Sequence, residues 1–142
     1  MFDSLEITAQ ALSATRTRMN VLASNIANAE TTRTEDGGPF KPRRVVQGAH
    51  SIPSNFSNAL DRMSLFVPKV DAVVTDNRPP KMVHDPSHPD ANTEGYVAYP
   101  NINVVESMTD MMTVSRLYQA NITALQSHRE MERQAYQISS RA

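Results

Sequence analysis

Apolar residues recur every seven positions at the start of the chain, at Leu5, Leu12, Met19 and Ile26. The positions three further on are Thr8, Thr15, Leu22 and Ala29, so the second line of contacts is partly polar. This spacing draws a narrow apolar seam along a helix, closer to a coiled-coil stripe than to a wide core-facing surface. Local signals agree. Asp3 stands as a cap, Glu6 completes a capping box three residues later, and Phe2 can staple onto Ile7. The pattern predicts a helix over about residues 4–28, roughly 37 Å long at 1.5 Å per residue.

The end of the chain predicts a longer helix. Pro100 closes the preceding segment, Asn103 is a cap, and Glu106 follows three residues on. Val104, Met108, Met111, Tyr118, Ile122 and Leu125 keep a three/four alternation, and the stripe then drifts toward Leu117, Ala124, Met131 and Ile138. About 37 residues without a breaker correspond to roughly 55 Å of helix, too long for a compact domain of this size.

The middle is a different polymer. All four Gly (37, 38, 48 and 95) and all nine Pro (between 39 and 100) lie there, and both ends are free of them. Val70, Ala72 and Val74 alternate with Lys69, Asp71 and Val73 as in a strand. Asp76-Asn77-Arg78-Pro79-Pro80 then reads as a turn, and Lys81-Met82-Val83-His84 as a second strand. Tyr96-Val97-Ala98-Tyr99 is a third short strand, and residues 48–64 read as a loop. The expected fold is mainly α: long N- and C-terminal helices packed as an antiparallel coiled coil around a central Pro/Gly-rich segment of short β-strands and loops. Residues 1–32 and 101–142 would form one discontinuous axial domain, and 33–100 the central hairpin and loop segment.

Composition narrows the function classes. Among 142 residues, 14 Lys and Arg face 15 Asp and Glu, so no basic field exists to neutralise nucleic-acid phosphates. The absence of Cys excludes disulfides, thiolate metal sites and thiol nucleophiles. At 39% apolar and 6% aromatic, the chain is thin in core. No apolar run approaches the roughly 18 residues of a membrane span. The acidic opening, with its first basic residue at Arg16, lacks the form of a cleaved secretory signal. The expectation is a soluble, near-neutral protein.

Candidate chemistry is sparse. His84-Asp85-Pro86-Ser87-His88-Pro89-Asp90 gathers two His and two Asp, donors that suit a hard or borderline metal ion. Two prolines interrupt them and no partner cluster appears elsewhere, so the expected role is a proline-locked turn with Asp caps, without metal or other cofactor. No nucleophile elbow or oxyanion motif accompanies Ser, His and Asp. Gly37-Gly38-Pro39 reads as a turn and not a phosphate loop. Neither catalytic residues nor a small-molecule substrate is expected. Met108, Met111 and Met112 read as core or interface packing. Lys41, Arg43 and Arg44, balanced by Glu35 and Asp36, read as a solvated turn.

At the end of the first helix, Asn25 and Asn28 stand one turn apart beside the seam, followed by Thr31 and Thr32. Asn competes for backbone hydrogen bonds and is a poor helix-interior residue. Two of them so placed suit a terminus where side-chain amides satisfy free carbonyls or neighbouring chains.

Longer strings carry a family resemblance. SNIANAETTRTEDGGPFKPRRVV (24–46), DPSHPDANTEGYVAYPNINVVE (85–106) and SRLYQANITAL (115–125) resemble, in order and spacing, bacterial flagellar rod and hook axial proteins, and in particular the FlgC-type proximal rod family. The Asn25-Ile26-Ala27-Asn28 element is similar to one shared across rod and hook proteins. Thr31, Thr32, Asp90, Gly95, Tyr96, Tyr99, Pro100 and Asn101 lie in the strings that resemble this family. Ser24 stands where the broader family often has Asn. The resemblance covers most of 2–46 and 81–138; residues 48–80 match no motif.

The resemblance implies a structural subunit without enzymatic activity. Such proteins pass unfolded through the flagellar type III export channel without a cleaved signal, then stack helically in the rod that spans the periplasm. The implied partners are copies of itself, other flagellar rod proteins, the adaptor joining rod to membrane ring, and the export apparatus. Phe56-Ser57-Asn58-Ala59-Leu60 has a Phe-x-x-x-hydrophobic form that resembles an export-gate recognition motif. The patterning agrees on separate grounds, because a narrow seam on two unequal helices cannot be fully covered within one chain. Burying apolar area contributes about 25 cal/mol per Å², and ordering each residue costs about 1–2 kcal/mol. The termini are therefore expected to order on assembly. Two alternatives stand beside this reading. One is a sister rod or hook subunit, against which the string at 85–101 argues. The other is a small metal-dependent enzyme using His84, Asp85, His88 and Asp90.

Overall fold

The computed structural model describes residues 2–51 and 66–139. Helix α1 spans Phe2–Ala27 and helix α2 Val104–Ser139. Between them lie β1 (Arg43–Ser51), β2 (Phe66–Thr75), β3 (Lys81–His84) and β4 (Tyr96–Tyr99). The chain thus has helical ends and short antiparallel strands between them, as the patterning predicts. The side chains of Phe2 and Asp3, which carry the start signal of α1, and the Phe56–Leu60 stretch lie outside the described residues. At the start of α2, Asn103 Oδ1 accepts the Glu106 N–H (3.3 Å), so the cap stands where the sequence places it.

The two helices pack together in opposite chain directions. Leu22 and Asn25, near the end of α1, share a cleft with Asn103, Glu106 and Asp110 at the start of α2. Ala11 and Ala14, earlier in α1, share another with Val114 and Asn121, further along α2. Val114 is the best covered helical residue, 2% exposed. Met111, Tyr118, Ile122 and Leu125 are half-buried on the same side of α2. Leu5, Leu12, Met19, Leu22 and Ile26 are half-buried along α1, where Ala14 and Thr15 are covered more completely. Small side chains at Ala11, Ala14 and Thr15 leave room for Gln47 of β1 and Pro68 of β2 to approach. One helix therefore presents two faces, one to α2 and one to the β1–β2 ribbon.

The middle segment differs from its prediction in its pairing. β3 pairs with β4, from Lys81 opposite Tyr99 to His84 opposite Tyr96, so residues 76–80 join two ribbons and do not close a hairpin. The partner of β2 is β1, and residues 48–51, expected in a loop, belong to that strand. The register shifts between Val46 and Gln47, whose partners are Ala72 and Val70, leaving Asp71 unmatched. Such a bulge breaks the period of two by which a strand is recognised. The adjacent residues Val73 and Val74, which point to opposite faces, are both exposed, so no consistent inward set exists to read there. Gly48 has a positive reason to be there. A Cβ on it would collide with the Asp71 carboxylate, which reaches across to His50.

Candidate functional site

The helix-end Asn residues do different work. The Asn25 side chain is buried and acts as a piece of backbone: its Nδ2 donates to the Arg43 carbonyl (2.8 Å) while its Oδ1 accepts the Arg43 N–H (2.9 Å). Both groups of the first residue of β1 are thereby satisfied from α1. Asn28 Nδ2 donates to the Ser24 carbonyl (2.8 Å), which also accepts the Asn28 N–H (3.1 Å), and Thr31 Oγ1 donates to Asn28 Oδ1 (3.3 Å).

Asp90 ties the segment after α1 to the loop before β4. It accepts from Thr32 Oγ1 (2.8 Å) and pairs with Arg33 (3.4 Å), residues more than fifty positions earlier. Asn92 Oδ1 accepts the N–H groups of Glu94 and Tyr96, folding a turn in which Gly95 has φ +78°. A side chain at Gly95 would also press on Pro86 and His84. Inside this frame Val97 is fully buried and Pro100 is buried, while Tyr96 meets the His84 ring edge-on and Tyr99 meets His88. Asn101 Nδ2 reaches the Pro79 carbonyl at 3.2 Å.

The donors once weighed for metal binding are engaged in this framework. Asp85 Oδ1 accepts the Ser87 hydroxyl (2.6 Å) and N–H (3.1 Å), and these bonds hold its carboxyl below the usual carboxylate range. His88 Nδ1 accepts the Asp90 N–H (3.1 Å). Among the described residues no three His, Cys, Asp or Glu converge as a metal site.

A clamp at Asp76 escaped the sequence reading. Its buried carboxylate accepts the Arg78 N–H (3.1 Å), pairs with the Arg78 guanidinium (2.8 Å) and pairs with Arg44 of β1 (3.3 Å). The Arg78 N–H, then the Arg78 and Arg44 charges, keep this carboxyl below its ordinary range against the opposing effect of burial. Its own N–H donates to the Pro42 carbonyl (2.7 Å), so the base of the β1–β2 ribbon is closed by one residue.

Comparison with known proteins gives these clamps a context. Residues 5–33 match the family model described as flagella basal body rod protein, and residues 93–138 match the C-terminal model of the flagellar basal body rod FlgEFG proteins. Over nearly their full lengths, the chain is similar to proteins named flagellar basal-body rod protein FlgC. It is 35% identical to that of Borreliella burgdorferi over 97% of each chain. It is 37% identical to that of Bacillus subtilis over 96% of this chain and 97% of the other. With that of Salmonella typhimurium it shares 35% identity over 92% of each. The chain belongs to the FlgC family of flagellar basal-body rod proteins.

As a FlgC-family member it is a structural subunit of the proximal rod and not an enzyme. The family matches fall on α1 with the turn after it and on β4 with α2; the β1–β2 ribbon lies in neither. The seam residues of this FlgC-family chain divide into two sets. Leu5, Leu12, Met19, Leu22, Ile26, Met111, Tyr118, Ile122 and Leu125 are half-buried within the chain. Val104 and Met108 are exposed, as are Leu117, Ala124, Met131 and Ile138 along the drifting stripe. Val114 was missed, although it stands three residues after Met111 and four before Tyr118 and so completes the alternation.

Proposed function

We propose that α1 and α2 form an antiparallel coiled-coil axial domain, and that copies of the chain stack helically through it to build the periplasm-spanning rod. The flagellar type III system exports the chain unfolded. Its partners are further copies, the other rod proteins and the adaptor that joins the rod to the membrane ring. Residues 33–100 decorate the axial domain and reach toward neighbours.

One observation carries this reading. Among the described residues only Ala14, Val67, Val97, Pro100 and Val114 are buried apolar side chains, while large apolar groups stay exposed along the length of α2, from Val105 (74%) to Ile138 (72%). A chain with this balance leaves most of its apolar area for neighbours to cover, and apolar burial is the main favourable term in association. Contacts between unlike faces generate helical arrays where the rotation between copies does not close. Deleting the chain in its own cells is expected to abolish swimming and leave basal bodies without an intact rod. Cells that swim normally without it would overturn the reading.

A further inference from the structure

Half of the chain's eight methionines line one groove between α1 and α2. On α2, Met111 and Met112 stand three and four positions after Met108, so each has its Cβ about 5–6 Å from that of Met108. Met19 faces them from α1. The groove has about 520 Å³ of open space. Met108 is 49% and Met112 63% exposed, so both side chains are reachable from solvent, while Met19 and Met111 are half-buried beneath them.

Thioethers are neutral, polarisable donors, and such soft donors select soft ions of the copper(I) class. The rest of the lining points the same way. Among the described residues that line the groove there is no Asp, Glu or His, so a hard or borderline dication finds no anionic or imidazole donor there. Arg116, the one charged residue of the lining, is exposed, and its repulsion grows with the charge of the ion. Methionine side chains are unbranched and change rotamer readily, so sulfurs from both helices can converge on one ion. Ordering four such chains costs rotamer entropy, which keeps the ion exchangeable.

We infer that Met19, Met108, Met111 and Met112 form a thioether site for one soft monovalent ion of the copper(I) class. The site differs in donor class from the His84–Asp90 loop, where Asp85 holds Ser87 and His88 holds the Asp90 N–H. An ion held by both helices ties α1 to α2, so binding stabilises the helix pair by linkage. Thioethers have no proton to lose, so the ion does not compete with protons for its ligands. The site belongs to the single chain, and the inference does not rest on the rod reading.

The absence of Cys removes the competing soft ligand and makes the test direct. Silver(I) matches copper(I) in charge and softness and needs no reductant, so it serves as the probe. It is titrated by calorimetry, in chloride-free buffer, into the full-length chain at a concentration where circular dichroism shows both helices formed. One ion per chain should bind, with the same affinity between about pH 6 and 8. Leucine keeps the packing volume and removes the sulfur. Met19→Leu and Met111→Leu, on different helices, should each weaken binding by about tenfold or more. Met112→Leu alters a position 63% exposed, so its similar loss is read free of any change in packing. Met82→Leu and Met131→Leu, at exposed methionines outside the groove, should leave binding unchanged. Binding that survives Met19→Leu and Met112→Leu intact would overturn the site, as would equal losses in all five variants or no binding at all. An affinity that falls steeply toward the acid end would also overturn it, by placing the ion on imidazoles.

Discussion

Replacing Val114 with Asp is expected to abolish rod assembly while leaving the amount of secreted chain unchanged. Val114 is 2% exposed and lies where α1, α2 and the β1–β2 ribbon converge, beside Ala14, Thr15 and Pro68. Arg18 also lines this cleft but is itself exposed, so the new carboxylate either stays buried uncompensated or reaches outward to it and forces the helices apart. An uncompensated buried charge costs about 3–5 kcal/mol, against a total stability of about 5–15 kcal/mol for an ordinary domain. A chain with so few covered apolar residues has less to lose. The export of an unfolded chain proposed above would not use the helix pair, so secretion should persist. Counting rods in isolated basal bodies and the chain in the culture medium checks both halves. A Val105→Asp chain, altered at a position 74% exposed, should keep its helix pair and serves as the comparison. Normal rod numbers with Val114→Asp would contradict the placement of the seam.

The second large effect is expected at Asn25. Asn25→Ala removes both hydrogen bonds to the Arg43 backbone and leaves a partly buried N–H and carbonyl without their partners. Each such loss costs about 1–3 kcal/mol. The substitution also tests cause, because Ala is the better helix former by a few tenths of a kcal/mol. If helix propensity ruled, α1 would gain; if docking of β1 rules, the chain as a whole loses. A net cost of about 2 kcal/mol raises the concentration at which the chain orders by roughly thirtyfold. Helix content followed by circular dichroism over a dilution series measures that midpoint. Asn25→Asp should fall short as well, since it keeps an acceptor for the Arg43 N–H but sets a second oxygen against the Arg43 carbonyl. An unchanged midpoint in both variants would mean that the clamp contributes nothing.

The ends of the chain were legible because their signals are local. A seven-residue recurrence, an Asn cap with Glu three positions later, and the exclusion of Gly and Pro each act within a few turns. Pairing in the middle was not legible. Bringing β1 to β2 depends on Asn25 holding Arg43 and on Asp76 holding Arg44, contacts that span 18 and 32 positions. β1 itself carries no alternation that would have marked it, because only Val45 and Gly48, three positions apart, are less than exposed along it. Similar reasoning explains Ala14 and Thr15. Small or hydroxylated residues read as filler in a seven-residue pattern, yet their size is what admits Gln47 and Pro68 to the second face of α1. The Thr15 hydroxyl is accommodated because it donates to the Ala11 carbonyl (2.6 Å) and leaves no polar atom unpaired. The alternation on α2 pointed to Val114, but the drift toward Leu117 and Met131 drew attention to a stripe that the fold leaves exposed.

On the proposed function the terminal helices are completed by neighbouring subunits and not by the chain alone. Hydrogen–deuterium exchange on the dilute full-length chain, compared with the same chain in assembled rods, tests this most directly. Fast exchange throughout α1 and α2 in the dilute state, with strong protection of both on assembly, is the predicted result. Strong protection of both helices at high dilution would contradict it, because the helix pair would then be stable without any partner.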